Sequence, residues 1–322
     1  MTWRSRLEAG ERGEVFDLLD AVTAADGIAP VSEQVLLQLR HVGDADADID
    51  IDIDMTAAHL LARDPAGALV GYACLDARSN ARSNATDKIV GGVAELAVHP
   101  AHRRRGVGSA LVAALLDEVA GPGSAADGRL RLWAHGEQPG AAALAGHFGF
   151  HKARVLWRMG RSLRTPLPAV ELPEGVRLRP LRVSHDEQAV IEVNNRAFAW
   201  HPEQAGWDIA QITLRQAEPW FDPDGVLLAV DDSDRLLGFH WTKVHGREGG
   251  HEPIGEVYIV GVDPSAQGRR LGTALTLAGL AYLRDKGLSQ VMLYVEADNA
   301  PAISVYRRLG FTHWDTDVSY QR

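Results

Sequence analysis

Glu95-Leu-Ala-Val-His-Pro-Ala-His-Arg-Arg-Arg-Gly-Val-Gly-Ser-Ala-Leu-Val-Ala-Ala-Leu-Leu116 has a second version at Ile259-Val-Gly-Val-Asp-Pro-Ser-Ala-Gln-Gly-Arg-Arg-Leu-Gly-Thr-Ala-Leu-Thr-Leu-Ala-Gly-Leu280. Each copy reads as a β-branched strand, a proline turn, a short basic loop with glycine, and an amphipathic helix. Each is followed, after a further strand and helix, by a Gly-Phe pair, at Gly149-Phe150 and Gly310-Phe311. A repeat of this length means two copies of one domain. The chain of 322 residues has room for two full cores. The expected division is a first domain over 1–160, a linker over 161–175 and a second domain over 176–322. The linker is marked by Thr165-Pro-Leu-Pro168 and Leu172-Pro-Glu-Gly175.

Composition narrows the class. A formal charge of −10 argues against nucleic acid, whose binders present a net basic face. The arginines cluster instead in the short loops, which suits a small anionic ligand. A single cysteine, Cys74, sits in a strand-like run, so no intrachain disulfide forms and a buried structural thiol is expected. Met-Thr-Trp-Arg-Ser-Arg at the start lacks the apolar stretch of a signal peptide, and no run is long enough for a membrane span. A cytoplasmic monomer is the expectation, since a tandem chain pairs its own domains. Asp alternates through Gly43–Asp54 without the glycine and distal glutamate of a calcium loop, so it reads as a solvated acidic segment. His240, His245 and His251 lack zinc spacing and read as loop or surface residues; no metal is expected.

Period and punctuation predict helices from the Val15, Leu18, Leu19, Val22 spacing to Asp26-Gly27, over 32–40 with Ser32 as cap, and over 106–120. In the second half they predict helices near 185–198, 269–286 and 299–308. Strands are expected near 57–62, 68–76, 88–98, 129–134, 176–180, 226–231, 235–245, 255–262, 290–296 and 312–320. This is an α/β pattern, given twice.

A strand feeding a Gly/Arg loop that opens a helix is an anion site, because the free N–H groups of the first turn and the helix dipole point at the ligand. The loop is neither a P-loop nor a dinucleotide fingerprint. After a strand ending in x-Val-x-Pro and before a strand, helix and Gly-Phe, it resembles the GCN5-related N-acetyltransferase (GNAT) superfamily in both halves. The resemblance implies two tandem domains, each a mixed, mostly antiparallel sheet flanked by helices, and acetyl-CoA as cosubstrate. In the first half it implies cofactor contacts from Leu96, Ala97 and Val98, and from Arg104, Arg105, Gly106, Val107, Gly108 and Ser109. In the second half it implies them from Val260, Gly261 and Val262, from Gln267, Gly268, Arg269, Arg270, Leu271, Gly272 and Thr273, and from Asn299, Ala300, Pro301, Ala302, Ile303 and Ser304. Arg270 stands where the motif has its first glycine, and an outward side chain in helical geometry is expected there.

The copies differ where chemistry is needed. Aligning Pro100 with Pro264 sets Gly92 opposite Glu256, and aligning Gly149 with Gly310 sets Ala145 opposite Tyr306. Acetyl transfer from a thioester to an amine requires a base for the ammonium and an acid for the departing thiolate. Only the second half has a carboxylate and a phenol at these places, so it is expected to catalyse and the first half to bind CoA or to buttress.

Phe239-His-Trp-Thr-Lys243, Gly255–Pro264, Leu293-Tyr-Val-Glu-Ala-Asp-Asn299, His201-Pro-Glu-Gln-Ala-Gly-Trp207 and Trp220-Phe-Asp-Pro-Asp-Gly225 are more closely similar to one tandem-domain branch of the superfamily. That branch acetylates the cysteinyl amine of a cysteinyl-glucosaminyl-inositol. The resemblance makes Glu256 the base and Tyr306 the acid. It also makes Glu33, Glu203, Lys243, Glu256 and Tyr294 contacts of this small-molecule acceptor. Two rivals stay open: an N-acetyltransferase for another amine, and a catalytically silent acyl-CoA sensor.

Overall fold

The computed structural model describes residues 1–41, 57–76, 91–121, 124, 126, 128–200, 206–246 and 252–322. The acidic run Gly43–Asp54, Glu203 and His251 lie outside these residues. Contacts divide the described chain into one unit of Met1–Ala81, Ile89–Leu156 and Asp315–Arg322, and another of Trp157–Trp314. By this grouping Trp157–Gly175, expected as the end of the first domain and a linker, goes with the second unit, and the end of the chain goes with the first.

The first unit contains β1 (Thr2–Arg4), α1 (Ala9–Asp26), α2 (Glu33–His41), β2 (Ala57–Arg63), β3 (Leu69–Asp76), β4 (Gly92–Val98), α3 (Val107–Ala120), β5 (Leu130–Ala134) and α4 (Pro139–His147). Its sheet runs β1-β2-β3-β4-β5 and is completed by the end of β12 (Thr312–Gln321). Val318–Gln321 pair antiparallel with Ala134–Arg131, and Arg322 exchanges backbone hydrogen bonds with Leu130. Those bonds satisfy β5 along an edge that would otherwise be open, which explains why the last residues group here. β4 and β5 run parallel, while β1–β2, β2–β3 and β3–β4 are antiparallel.

Alternation gives the sheet two apolar faces. Leu60, Leu75, Ala94, Leu130 and Leu132 pack under α3, and Leu61, Tyr72, Cys74 and Ala97 pack under α1 and α2. α1 buries Val15, Leu18, Leu19 and Val22 as their spacing predicts, and ends at Gly27 in the left-handed region (φ 72°). Ser32 precedes α2 with its carbonyl accepting from Leu36 N–H, and its hydroxyl donates to Glu95. Cys74 is buried as expected, and burial pushes its thiol well up.

β6 (His151–Ser162) enters the second unit, which continues with β7 (Arg177–Pro180), α5 (Glu187–Ala197), α6 (Ile209–Gln216), β8 (Val226–Val230), β9 (Leu236–His245), β10 (Ile254–Val262), α7 (Leu271–Asp285), β11 (Gln290–Glu296) and α8 (Ala300–Arg308). β6 was not foreseen as a strand and runs into the expected linker; Met159 and Leu163 are core residues of this unit. The sheet order is β6-β11-β10-β9-β8-β7, with β10 and β11 parallel. One face packs against α5 and α6 through Phe239, Trp241 and Ile259. The other carries α7 and α8 through Val257, Leu293, Val295, Leu280 and Ile303.

His240 is not a surface residue. It is fully buried, with Nδ1 2.8 Å from the Leu275 carbonyl, and burial holds its pKa down at about 4. The imidazole fits because Gly279 leaves room: a Cβ there would stand 2.0 Å from His240 Cε1. Gly279→Val is therefore expected to cost about 1–3 kcal/mol by overpacking, although valine favours a helix more than glycine does. A urea titration in which its midpoint matched wild type would refute the packing described. Among the described residues, no helix is long and apolar enough to cross a membrane.

Candidate active site

In both units the proline turn becomes one turn of 3-10 helix, and the loop then passes through two left-handed positions before the long helix opens. In the first loop these are Arg104 (φ 61°) and Gly106 (φ 83°); in the second, Gly268 (φ 78°) and Arg270 (φ 61°). Each loop thus has one glycine and one arginine at these positions, with the order exchanged. Arg270 does not take the expected helical geometry; it is the left-handed N-cap of α7. The first turns of α3 and α7 leave Val107, Gly108 and Ser109, and Leu271, Gly272 and Thr273, with N–H groups outside the helical ladder. Arg104, Arg105, Arg269 and Arg270 are exposed around these turns. Arg103 is engaged elsewhere, donating to Asp26 at 2.8 and 2.7 Å.

Next to each cradle the two parallel strands part. β4 pairs with β5 only as far as Glu95 opposite Trp133, so Leu96, Ala97 and Val98 lie beyond the pairing. β10 pairs with β11 only at Gly255–Val291 and Glu256–Met292, leaving Val260, Gly261 and Val262 beyond it. In the second unit the parting has a local cause. The β9–β10 register slips between Val257 and Ile259, a bulge that adds Tyr258 and bends β10 just after Glu256. The β3–β4 register runs unbroken from Asp76–Val93 to Gly71–Val98. A gap with backbone N–H and C=O groups on its β10 edge accepts an extended amide-bearing chain as it would a strand. Asn299 caps α8 at the rim, its Oδ1 accepting from Ala302 N–H at 3.2 Å. Ala300 and Pro301 open that helix, Ile303 is buried beneath it, and Ser304 is exposed.

The bulge corrects the alignment of the two halves. Gly92 pairs with Leu130 as Gly255 pairs with Val291, so the residue equivalent to Glu256 is Val93, not Gly92. Counting back from the prolines gives an offset of one because only β10 contains the extra residue. The asymmetry stands, since valine carries no more proton chemistry than glycine. Ala145, the partner of Tyr306, is buried in the first core.

Glu256 is only 6% exposed. Burial alone would raise its carboxyl, but the hydrogen bond from His245 and the charges of His245 and Lys243 outweigh that and hold it below the usual range. Lys243 stands directly opposite Glu256 across β9 and β10. Its ammonium lies 4.7 Å from the Trp220 ring centroid and 5.4 Å from that of Tyr258, whose hydroxyl accepts from Arg215 Nε at 2.7 Å. Tyr294 lies two residues beyond Met292 on β11, which puts it on the same sheet face as Glu256. Tyr306 approaches from the other face, packed with the α7–α8 core and edge-on to Phe311 at 5.8 Å. Burial pushes its hydroxyl up to about 12, which keeps the proton on at neutral pH. A carboxylate and a phenol thus belong to opposite faces of the same opened pair of strands.

Glu33 is the first residue of α2, in the first unit. His245, a loop or surface residue by its sequence, ends β9 with its Nε2 2.6 Å from Glu256 Oε2. Alternation on an antiparallel pair could have found it, because residues two apart on β9 share the face of Lys243. Glu95 was also missed. It faces α1 and α2, accepts from the Ser32 hydroxyl at 2.6 Å, and meets His135 Nε2 at 3.1 Å, while His135 Nδ1 meets Asp317 at 2.9 Å. The first unit therefore has a buried carboxylate near its own strand gap, but one fully engaged in an ionic network. Among the described residues, no cluster of three or more His, Cys, Asp or Glu is placed to hold a metal.

Comparisons with known proteins agree with this geometry. The profile of the acetyltransferase (GNAT) family matches twice, over residues 33–150 and 188–311. A protein of Saccharopolyspora erythraea named mycothiol acetyltransferase is 51% identical over 95% of this chain and 99% of its own length. One of Salinispora arenicola with the same name is 48% identical over 100% of this chain and 96% of its own. Among solved structures, a tandem GNAT protein from the clavulanic acid biosynthesis pathway superposes with a TM-score of 0.68 at 23% identity, covering 100% of this chain and 98% of that one; it shares the fold. Two copies of the cradle, each beside a parted pair of parallel strands, and relatives identical at about half of all positions over the full length lead to one assignment: the chain belongs to the acetyltransferase (GNAT) family and, within it, to the mycothiol acetyltransferases.

Proposed function

We propose that the second unit transfers the acetyl group of acetyl-CoA to the cysteinyl amine of 1D-myo-inositol 2-(L-cysteinylamino)-2-deoxy-α-D-glucopyranoside, giving mycothiol and CoA. The observation that carries the reading is the place of Glu256, at the last paired position before β10 parts from β11. Bound acetyl-CoA would supply an activated acyl thioester. The residues suited to hold it are the α7 first turn with Gln267–Thr273 for the pyrophosphate, Val260–Val262 for the pantetheine amides, and Asn299–Ser304 at the rim. The two left-handed loop positions and the opened strands fit that shape.

The chain's own groups manage the protons. A free α-amine has a pKa near ~8 and arrives as ammonium. Glu256, held ionised, takes its proton directly or through a water, and the freed amine is then nucleophilic. The amine nitrogen bonds to the thioester carbonyl carbon, loses its second proton, and the C–S bond breaks. Tyr306, held protonated, donates to the departing sulfur and is reprotonated, so each turnover leaves one proton on CoA and releases one to solvent. Lys243, Tyr294, Glu33 and Glu203 are the acceptor contacts in this reading, a mixture of donors and carboxylates suited to a polyhydroxylated cation. The substrate's thiol is not consumed, so a cytoplasmic enzyme working as a monomer without metal or nucleophilic cysteine suffices. In the first unit Val93 and Ala145 stand at the corresponding positions, and that unit binds CoA or buttresses without transferring.

The test is incubation with acetyl-CoA and the cysteinyl sugar, followed by mass spectrometry and thiol labelling. The product is expected to gain one acetyl group and keep a thiol that reacts with the label. An unmodified sugar, or faster acetylation of an unrelated amine, would overturn the acceptor. Retention of both Glu256 and Tyr306 opposes the silent-sensor reading, which has no use for either.

A further inference from the structure

His245 ends β9 on the face that carries Lys243 and Glu256. Its side chain is 27% exposed and that of Glu256 8%, so the imidazole stands between a buried carboxylate and solvent. We propose, on the reading that Glu256 is the base, that His245 is its positioning residue, donating Nε2–H to Oε2 so that the carboxylate stays charged and Oε1 faces the acceptor.

Three observations support this. The contact is short, 2.6 Å, as charge-assisted hydrogen bonds are. Burial by itself would drive the carboxyl to its neutral form, and the charges that oppose this come from His245 and Lys243. Lys243, though, has its ammonium set over the rings of Trp220 and Tyr258, whereas His245 makes the direct hydrogen bond to the carboxylate. The imidazole thus both orients the base and keeps it able to accept a proton. A carboxylate oxygen fixed by a hydrogen bond also loses less freedom when the acceptor binds.

The test compares wild type, His245→Phe and His245→Gln in the full-length protein by carbon-detected NMR titration of the glutamate carboxyls, with Glu256→Gln identifying the resonance. In wild type the Glu256 carboxyl is expected to titrate below the ordinary glutamate range. His245→Phe removes both donor and charge and should move it up by about 1–3 pH units. His245→Gln keeps a donor without the charge and should fall between, and it serves if the phenylalanine variant does not fold. In kinetics, the acidic limb of kcat/KM should move by the same amount with KM for acetyl-CoA unchanged. Adding His245→Phe to Glu256→Gln should then cost nothing further. An unmoved Glu256 titration in both variants overturns the proposal whatever the acceptor is. A moved titration, without any acetylation of the cysteinyl sugar, overturns the acceptor and leaves the pair standing.

Discussion

Glu256→Gln lowers kcat by about 10²–10⁴-fold, the usual worth of a positioned general base, while acetyl-CoA binding stays as in wild type. The amide is close in size and shape, so the packing around β10 survives, but it cannot take up a proton. The effect should fall on turnover because Glu256 lies before the strands part and the backbone proposed to hold the cofactor, Val260–Val262, begins after it. Stopped-flow kinetics gives kcat, and calorimetry with CoA gives the affinity. Raising the pH should restore part of the rate, since hydroxide can deprotonate the ammonium when the carboxylate is gone. A variant with wild-type kcat at neutral pH would remove Glu256 from the reaction; one that failed to bind CoA would make it structural instead.

The second large effect lies in the first unit. His135 is bracketed by Glu95 at 3.1 Å and Asp317 at 2.9 Å, and the Asp317 carboxylate also accepts from Gly136 N–H at 2.9 Å. Burial alone would lower the imidazole's pKa, yet its hydrogen bonds to Asp317 and Glu95 and their charges outweigh this and raise it to about 10. Removing the cation leaves two buried carboxylates without their counter-charge, so His135→Leu is expected to cost about 3–5 kcal/mol. Because the folded pKa is raised, the stabilisation is complete below the unfolded value of about 6.5 and is lost as pH rises through about 10. Wild type should thus lose thermal stability between pH 7 and 10, while His135→Leu, already depleted, should lose less. Parallel slopes for the two proteins over that range would refute the charged bracket.

The repeated strand, loop and helix were legible because each is local. Hydrophobic period and turn residues place α3, α7, β10 and β11 within a residue or two of their ends. What lay beyond reach was long-range. Nothing in Thr312–Gln321 distinguishes a strand that ends on β5 from one that stays with its own half, because pairing depends on partners far away in sequence. The bulge at Tyr258 is likewise silent in composition; it shows only as a register slip, and it moved the equivalent of Glu256 from Gly92 to Val93. Buried ionic residues were misread for a related reason. His245 and Glu95 look like ordinary surface polars until a neighbouring strand or helix supplies their partners. Tyr306 and Glu256 stand out in the sequence because the proposed reaction needs a proton taken and a proton given, and only the second copy of the repeat has a carboxylate and a phenol at these places.

Of the two similar cradles, only that of the second unit is expected to serve a reaction centre. Single-turnover quench-flow on Glu256→Gln/Tyr306→Phe, with acetyl-CoA and the cysteinyl sugar, tests it most directly. The double variant should bind CoA and leave the amine unacetylated over the time in which wild type completes a turnover. Acetylation at a rate close to wild type would mean that the first unit, or some other group, performs the transfer.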